Sequence, residues 1–194
     1  MNVLAHALLS GGDAQLRLGG VLGDFVHGMP DPALPQRVRD GIHLHRAIDS
    51  FTDTHPEVRA ARERMQPPFR RYAGILLDVW FDHLLARDFA AWSDLPLDAF
   101  SRNLRAELHA AEAILPEGLK RFLAYMDRHD LPAGYAQVER VAGAFAGLSQ
   151  RLSRANPVAD GVPVLQAQAV ELERTFANFF PELRHFADAR IAAL

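Results

Sequence analysis

Cysteine is missing from all 194 residues, which excludes disulfides and thiolate metal sites and leaves only nitrogen and oxygen to hold a metal. That suits a reducing compartment. Lysine is almost missing: of 21 basic residues, only Lys120 is not arginine. No stretch approaches the roughly 18 uncharged apolar residues of a membrane span, and the opening MNVLAHALLSGGD has neither the basic flank nor the long apolar run of a signal peptide. A cytoplasmic protein with no membrane attachment is expected. Strict apolar/polar alternation is also absent, as are internal repeats, low-complexity tracts and any Gly/Ser-rich linker. The expectation is one all-α domain over residues 1–194, a bundle of about eight to ten helices.

The helices can be set out from their stop and start signals. A first runs from Asn2 to Leu9, ending at Gly11-Gly12; Asp13 caps a second that passes Leu16, Leu18, Leu22 and Phe25, with Gly19, Gly20 and Gly23 allowing close backbone approach. Pro35 opens the helix that contains Gly41–Asp53, and Pro56 opens a short one to Met65. Further helices are expected over Phe69–Phe89, over Leu97–Leu115, after Pro116 and over Gly134–Leu152. Two more cover Val164–Phe179 and Pro181–Ala193, divided at the proline.

The net charge of −3 argues against general nucleic-acid binding, but the charge is uneven. Residues 37 to 71 hold eight Arg against five acids, a local balance of +3, so the rest of the chain stands at −6.

The stretch GIHLHRAIDSFTD (41–53) puts ionisable groups where a plain helix would not. His45, Asp49 and Thr52 share one helical stripe beside the apolar seam of Leu44, Ile48 and Phe51. Between Tyr72 and Ala86, YAGILLDVWFDHLLA is apolar on every face yet carries Asp78, Asp82 and His83 with no Lys or Arg. Buried carboxylates need a compensating partner, and arginine or a metal is the expected one. His6 lies on an apolar first helix. Asp24 falls late in the second, where the macrodipole disfavours an anion. His6, Asp24, His45, Asp49, Asp78, Asp82 and His83 make a hard, oxygen-rich donor set that favours Mn²⁺, Mg²⁺ or Fe over structural zinc. Such an ion would activate water against a phosphoester or amide.

NVLAH (2–6), GDF (23–25), GIHLHRAIDSFTD (41–53), HPEVR (55–59) and YAGILLDVWFDHLLA (72–86) together resemble the acyl-carrier-protein phosphodiesterases, which are similar to a divergent branch of the HD-type metal phosphohydrolases. The resemblance implies an all-α, HD-phosphohydrolase-like fold, Mn²⁺ dependence, and cleavage of the phosphodiester joining 4′-phosphopantetheine to a serine of acyl carrier protein. Carried over residue by residue, it makes His6, Asp24, His45, Asp49, Asp78 and Asp82 metal ligands, with Asp24, Arg46 and His83 catalytic: Arg46 adds charge and His83 relays a proton. The acidic carrier protein would dock on Arg59, Arg62, Arg64, Arg70 and Arg71. Two other readings stand beside it, a metal phosphohydrolase of a small phosphodiester or nucleotide and a non-catalytic helical binding protein.

Overall fold

Asp13 starts its helix as expected, its Oδ1 accepting from the backbone N–H groups of Gln15 and Leu16 at 2.9 and 3.2 Å, in a computed structural model that describes residues 1–194. The chain is all-helical: α1 (Val3–Leu9), α2 (Ala14–Leu22), α3 (Gln36–Thr54), α4 (Pro56–Arg64), α5 (Ala73–Arg87), α6 (Leu97–Ala110), α7 (Glu117–His129), α8 (Val138–Arg151), α9 (Gly161–Gln166) and α10 (Ala169–Ala192). Several ends tighten into short 3₁₀ turns, the usual way for a helix terminus to satisfy its last carbonyls. No helix is long and apolar enough to cross a membrane.

α5 is the central element, buried from Val79 through Ala86. Leu76, Leu77, Phe81 and Leu85 are almost fully excluded from water, each stabilising the fold by roughly 1.5–3 kcal/mol. Around it one contiguous core extends from Met1 to Ala187 and joins both halves of the chain.

α2 and α3 meet backbone to backbone. A Cβ on Gly19 would overlap the Val38 carbonyl, and one on Gly41 would overlap the Leu16 carbonyl, so only glycine lets these backbones touch. That contact sets how near α3 brings His45 to α2.

Three expectations need correction. α2 stops at Leu22, and Asp24 lies in the 3₁₀ turn Gly23–Phe25 rather than late in an α-helix. The helix expected to reach Leu115 ends at Ala110, followed by the turn Glu112–Ile114. Pro181 does not divide the last segment, because α10 runs through it. Pro181 and the residue one turn before it, Ala177, both face solvent, while Phe176, Phe179, Phe180 and Leu183 on the other face are buried. Water can serve the carbonyl that proline cannot, and the aromatic face supplies the packing that keeps the helix continuous.

Candidate metal centre and adjoining cleft

α1 and α3 each direct one histidine to the same point. The His6 and His45 rings stack with centroids 3.7 Å apart, and their Nε2 atoms lie 3.1 Å from Asp49 Oδ1 and 3.1 Å from Asp49 Oδ2 respectively. The ligating atoms of His6, His45 and Asp49 all lie within 4.8 Å of one another. His45 Nδ1 is 2.7 Å from the Gly20 carbonyl oxygen, which assigns Nδ1–H as the donor and leaves Nε2 to face the carboxylates. Gly23 lies flat against the same ring, where a Cβ would overlap it.

His6 is more unusual. Both its ring nitrogens are buried without a hydrogen-bond partner, so the 3.1 Å approach of Nε2 to Asp49 is a close contact without hydrogen-bond alignment. Buried polar atoms are rarely left this way. Two imidazole nitrogens and a carboxylate converging on one point, one ring anchored through its far nitrogen to a backbone carbonyl, is the arrangement that protein metal sites use. The donor set therefore fits a hard or borderline divalent ion.

The remaining acids differ in placement. Asp24 Oδ1 is 3.5 Å from His45 Nε2, and its side chain is 53% exposed, so it sits on the rim. The Met1 ammonium approaches Asp49 at 3.3 Å and Asp78 at 3.2 Å. Asp82 is fully buried, and its oxygens accept from the backbone N–H groups of Leu4 at 2.7 Å and Ala5 at 3.1 Å. It caps α1 from α5, and no arginine pairs with it; unpaired N–H groups at a helix start, which the sequence reading did not weigh, also satisfy a buried carboxylate.

Electrostatics follow from this geometry. Burial, reinforced by the neighbouring His45, pushes His6 down to about 4. Burial also opposes a charge on His45, but the Asp24 and Asp49 carboxylates facing its Nε2 outweigh it and push the ring up to about 9. Against burial, His45 above all holds Asp49 far below the usual carboxylate range and Asp24 below it. Burial raises Asp78 in spite of the Met1 ammonium. That ammonium, buried but flanked by Asp78 and Asp49, is pushed up to about 10.

His83 and Arg46 stand apart from the cluster. His83 Nδ1 lies 2.8 Å from the Tyr135 carbonyl, its ring against Trp80. Arg46 donates to the Val26 carbonyl at 2.8 Å, fastening the segment after Asp24 to α3.

A cleft of about 300 Å³ opens from Asp24, Asp78 and Met1 and continues between α5, α7 and α8, walled by Phe122, Tyr125 and Leu148. None of these walls was singled out in the sequence. Asn2 and Tyr135 also line it, hydrogen-bonded to each other at 3.2 Å.

The family model for acyl carrier protein phosphodiesterase matches residues 1–183. The chain belongs to the acyl carrier protein phosphodiesterase family. An acyl carrier protein phosphodiesterase of Klebsiella pneumoniae strain 342 is 35% identical over 193 residues, covering 97% of this chain and 98% of the relative. The protein of the same name from Escherichia coli O6:H1 is 34% identical over 194 residues, covering 98% and 99%, and that of Shigella boydii serotype 18 is 35% identical over 187 residues, covering 94% and 95%. No solved structure matches. Membership in the family thus extends past the motifs that end at Ala86 and takes in α7 and α8, the cleft walls.

Proposed function

We propose that this chain hydrolyses the phosphodiester between 4′-phosphopantetheine and the serine of holo-acyl carrier protein. It is a phosphoric diester hydrolase: water adds to phosphorus, the bond from phosphorus to the serine oxygen breaks, and that oxygen takes up a proton to give apo-acyl carrier protein. The phosphate leaves with the pantetheine. Family membership over residues 1–183 gives the reaction class. The observation that carries the reading to a site is the convergence of His6, His45 and Asp49 at one end of a cleft.

A divalent ion bound by His6, His45 and Asp49, with Asp24 and Asp78 at its edge, would acidify a water and neutralise charge on the phosphate. We assign manganese, with magnesium or iron as the other candidates for this nitrogen and oxygen set. Asp24, ionised and on the rim, orients the attacking water. Asp78, which lines the cleft beside the Met1 ammonium, is the group placed to pass a proton to the serine oxygen. Asp82 supports α1, and through it His6. Arg46 holds the segment that follows Asp24.

The carrier protein docks on the arginines around the start of α5. Arg59, Arg70 and Arg71 are exposed. Arg62 is engaged with Asp53 at 2.6 Å and Arg64 with Thr175 at 3.2 Å, so those two contribute field more than direct contact.

Incubation of purified protein and Mn²⁺ with holo-acyl carrier protein, read by intact mass, tests the reading. Loss of the phosphopantetheine mass from the carrier is expected. A metal-loaded protein that leaves the holo-carrier intact overturns it.

A further inference from the structure

We infer that the cleft between α5, α7 and α8 is the binding site for the pantetheine arm, and that it retains the arm as product after the carrier protein has left. This rests on the proposed reaction but adds a ligand, a location and a release order.

The location follows from shape. At about 300 Å³ the cleft lies at the small end of ligand pockets, which span roughly 300–1,000 Å³. A folded carrier protein cannot enter it, whereas a single unbranched arm can. Asp24 and Asp78 line the same cleft, and Asp24 Oδ1 is 3.5 Å from His45 Nε2, so a phosphodiester at the His6, His45 and Asp49 cluster has its slender substituent pointing inward and its bulky one outward.

The lining matches the chemistry of the arm. Pantetheine is uncharged, with a geminal dimethyl group, two secondary amides, a hydroxyl and a terminal thiol. Phe122, Tyr125, Ala144 and Leu148 offer apolar walls for its methyl and methylene groups. Asn2 and Tyr135 can read amides. Asn2 Nδ2 donates to the Tyr135 oxygen at 3.2 Å, which leaves the second Asn2 N–H, the Asn2 carbonyl and the Tyr135 hydroxyl hydrogen for a ligand. The charged groups of the lining are Asp24, Asp78 and Met1, where the cleft opens beside the cluster, and Arg151 on α8.

The release order follows from which bond breaks. The carrier leaves as a free serine on the open side, while the phosphorylated arm remains lodged in the cleft beside the cluster. Free pantetheine should therefore occupy the same space and compete with holo-carrier.

The test is isothermal titration of the metal-free protein with pantetheine, repeated on Ala144→Phe, which fills the cleft from α8, and on Phe122→Ala, which removes a wall. Saturable one-to-one binding to the wild type, weakened at least tenfold in a variant whose circular dichroism and melting match the wild type, is expected. Competitive inhibition of holo-carrier cleavage should accompany it. Binding that is absent, or unchanged in both variants, overturns the inference. If holo-carrier is cleaved while pantetheine neither binds nor inhibits, the arm site is wrong and the proposed function stands; if pantetheine binds in the cleft but holo-carrier is not cleaved, the proposed function is wrong and the arm site stands.

Discussion

The His6 and His45 rings stack 3.7 Å apart, too close for both to be charged, and the protein resolves this by charging one of them. His45 lies near about 9 and His6 near about 4, on either side of the ordinary 6.5. His45 contributes stability that is full below pH 6.5 and is lost as pH rises through about 9. His6 acts in the other direction: the unfolded chain binds more protons between about 4 and 6.5, so stability falls as pH drops through that window. These two rings together favour the metal-free fold most near pH 6.5, their joint contribution falling by on the order of 2–3 kcal/mol on each side, while buried Asp82, raised to about 7, subtracts stability as pH climbs toward that value. Bound Mn²⁺ must displace the His45 proton, so its stabilisation should grow with pH up to about 9. Denaturant melts across pH with and without Mn²⁺ check the metal dependence, and NMR titration of the two imidazoles checks the split; two rings titrating together near 6.5 refute it.

Asp82→Ala should destabilise the protein by about 2–4 kcal/mol, because it strands two buried N–H groups at the start of α1. Asp82→Asn keeps an acceptor and should lose less than half of that. Guanidinium melts give both numbers. Equal losses for the two variants would mean that the charge, rather than the cap, is what matters.

Asp24→Ala should behave oppositely. Its side chain is half exposed, so the melting transition should move by no more than about 0.5 kcal/mol. Conversion of holo- to apo-carrier should drop at least a hundredfold, visible on the carrier's intact mass. Retained turnover would remove Asp24 from the mechanism.

The part of this site that was legible in the sequence is the part carried by helical spacing. His45 and Asp49 lie one turn apart, so any helix through them aligns the pair, and an apolar first helix has only one inward histidine, His6. The rest depends on backbone groups and packing that residue types do not announce. The partners of Asp82 are the amides of Leu4 and Ala5, and the cation beside Asp78 is the Met1 ammonium. Asp24 reaches the rim only because α2 tightens into a 3₁₀ turn at Gly23. His83, one residue from Asp82, turns to another face of α5 and bonds the Tyr135 carbonyl, which a doublet read as a motif conceals. The all-α architecture itself was plain, apart from the proline in α10, where burial of one face overrides a local breaker.

Arg70→Glu with Arg71→Glu should raise KM for holo-acyl carrier protein at least fivefold at low salt, with most of the effect on KM rather than kcat. Both residues are exposed, and charge steering of this kind fades as ionic strength shortens the Debye length below about 10 Å. Steady-state kinetics at two salt concentrations decide it. A KM unchanged at low salt would mean that the carrier protein docks elsewhere.

Gly23→Ala is the sharpest test of the metal centre, because Gly23 carries no donor and touches the site only by its lack of a side chain. A Cβ there would overlap the His45 ring. α2 and α3 cannot separate to make room, since Gly19 and Gly41 already hold their backbones in contact, so the ring must give way. Rotating it breaks the bond from Nδ1 to the Gly20 carbonyl and turns Nε2 away from Asp49. Losing such an orienting partner typically weakens metal affinity 10–100-fold, and the overpacking should lower stability by about 1–3 kcal/mol. Gly12→Ala is the control, with nothing within 4 Å of the added methyl. Mn²⁺ titrations of the two variants should therefore diverge by at least tenfold, and equal affinities would show that His45 is not a ligand.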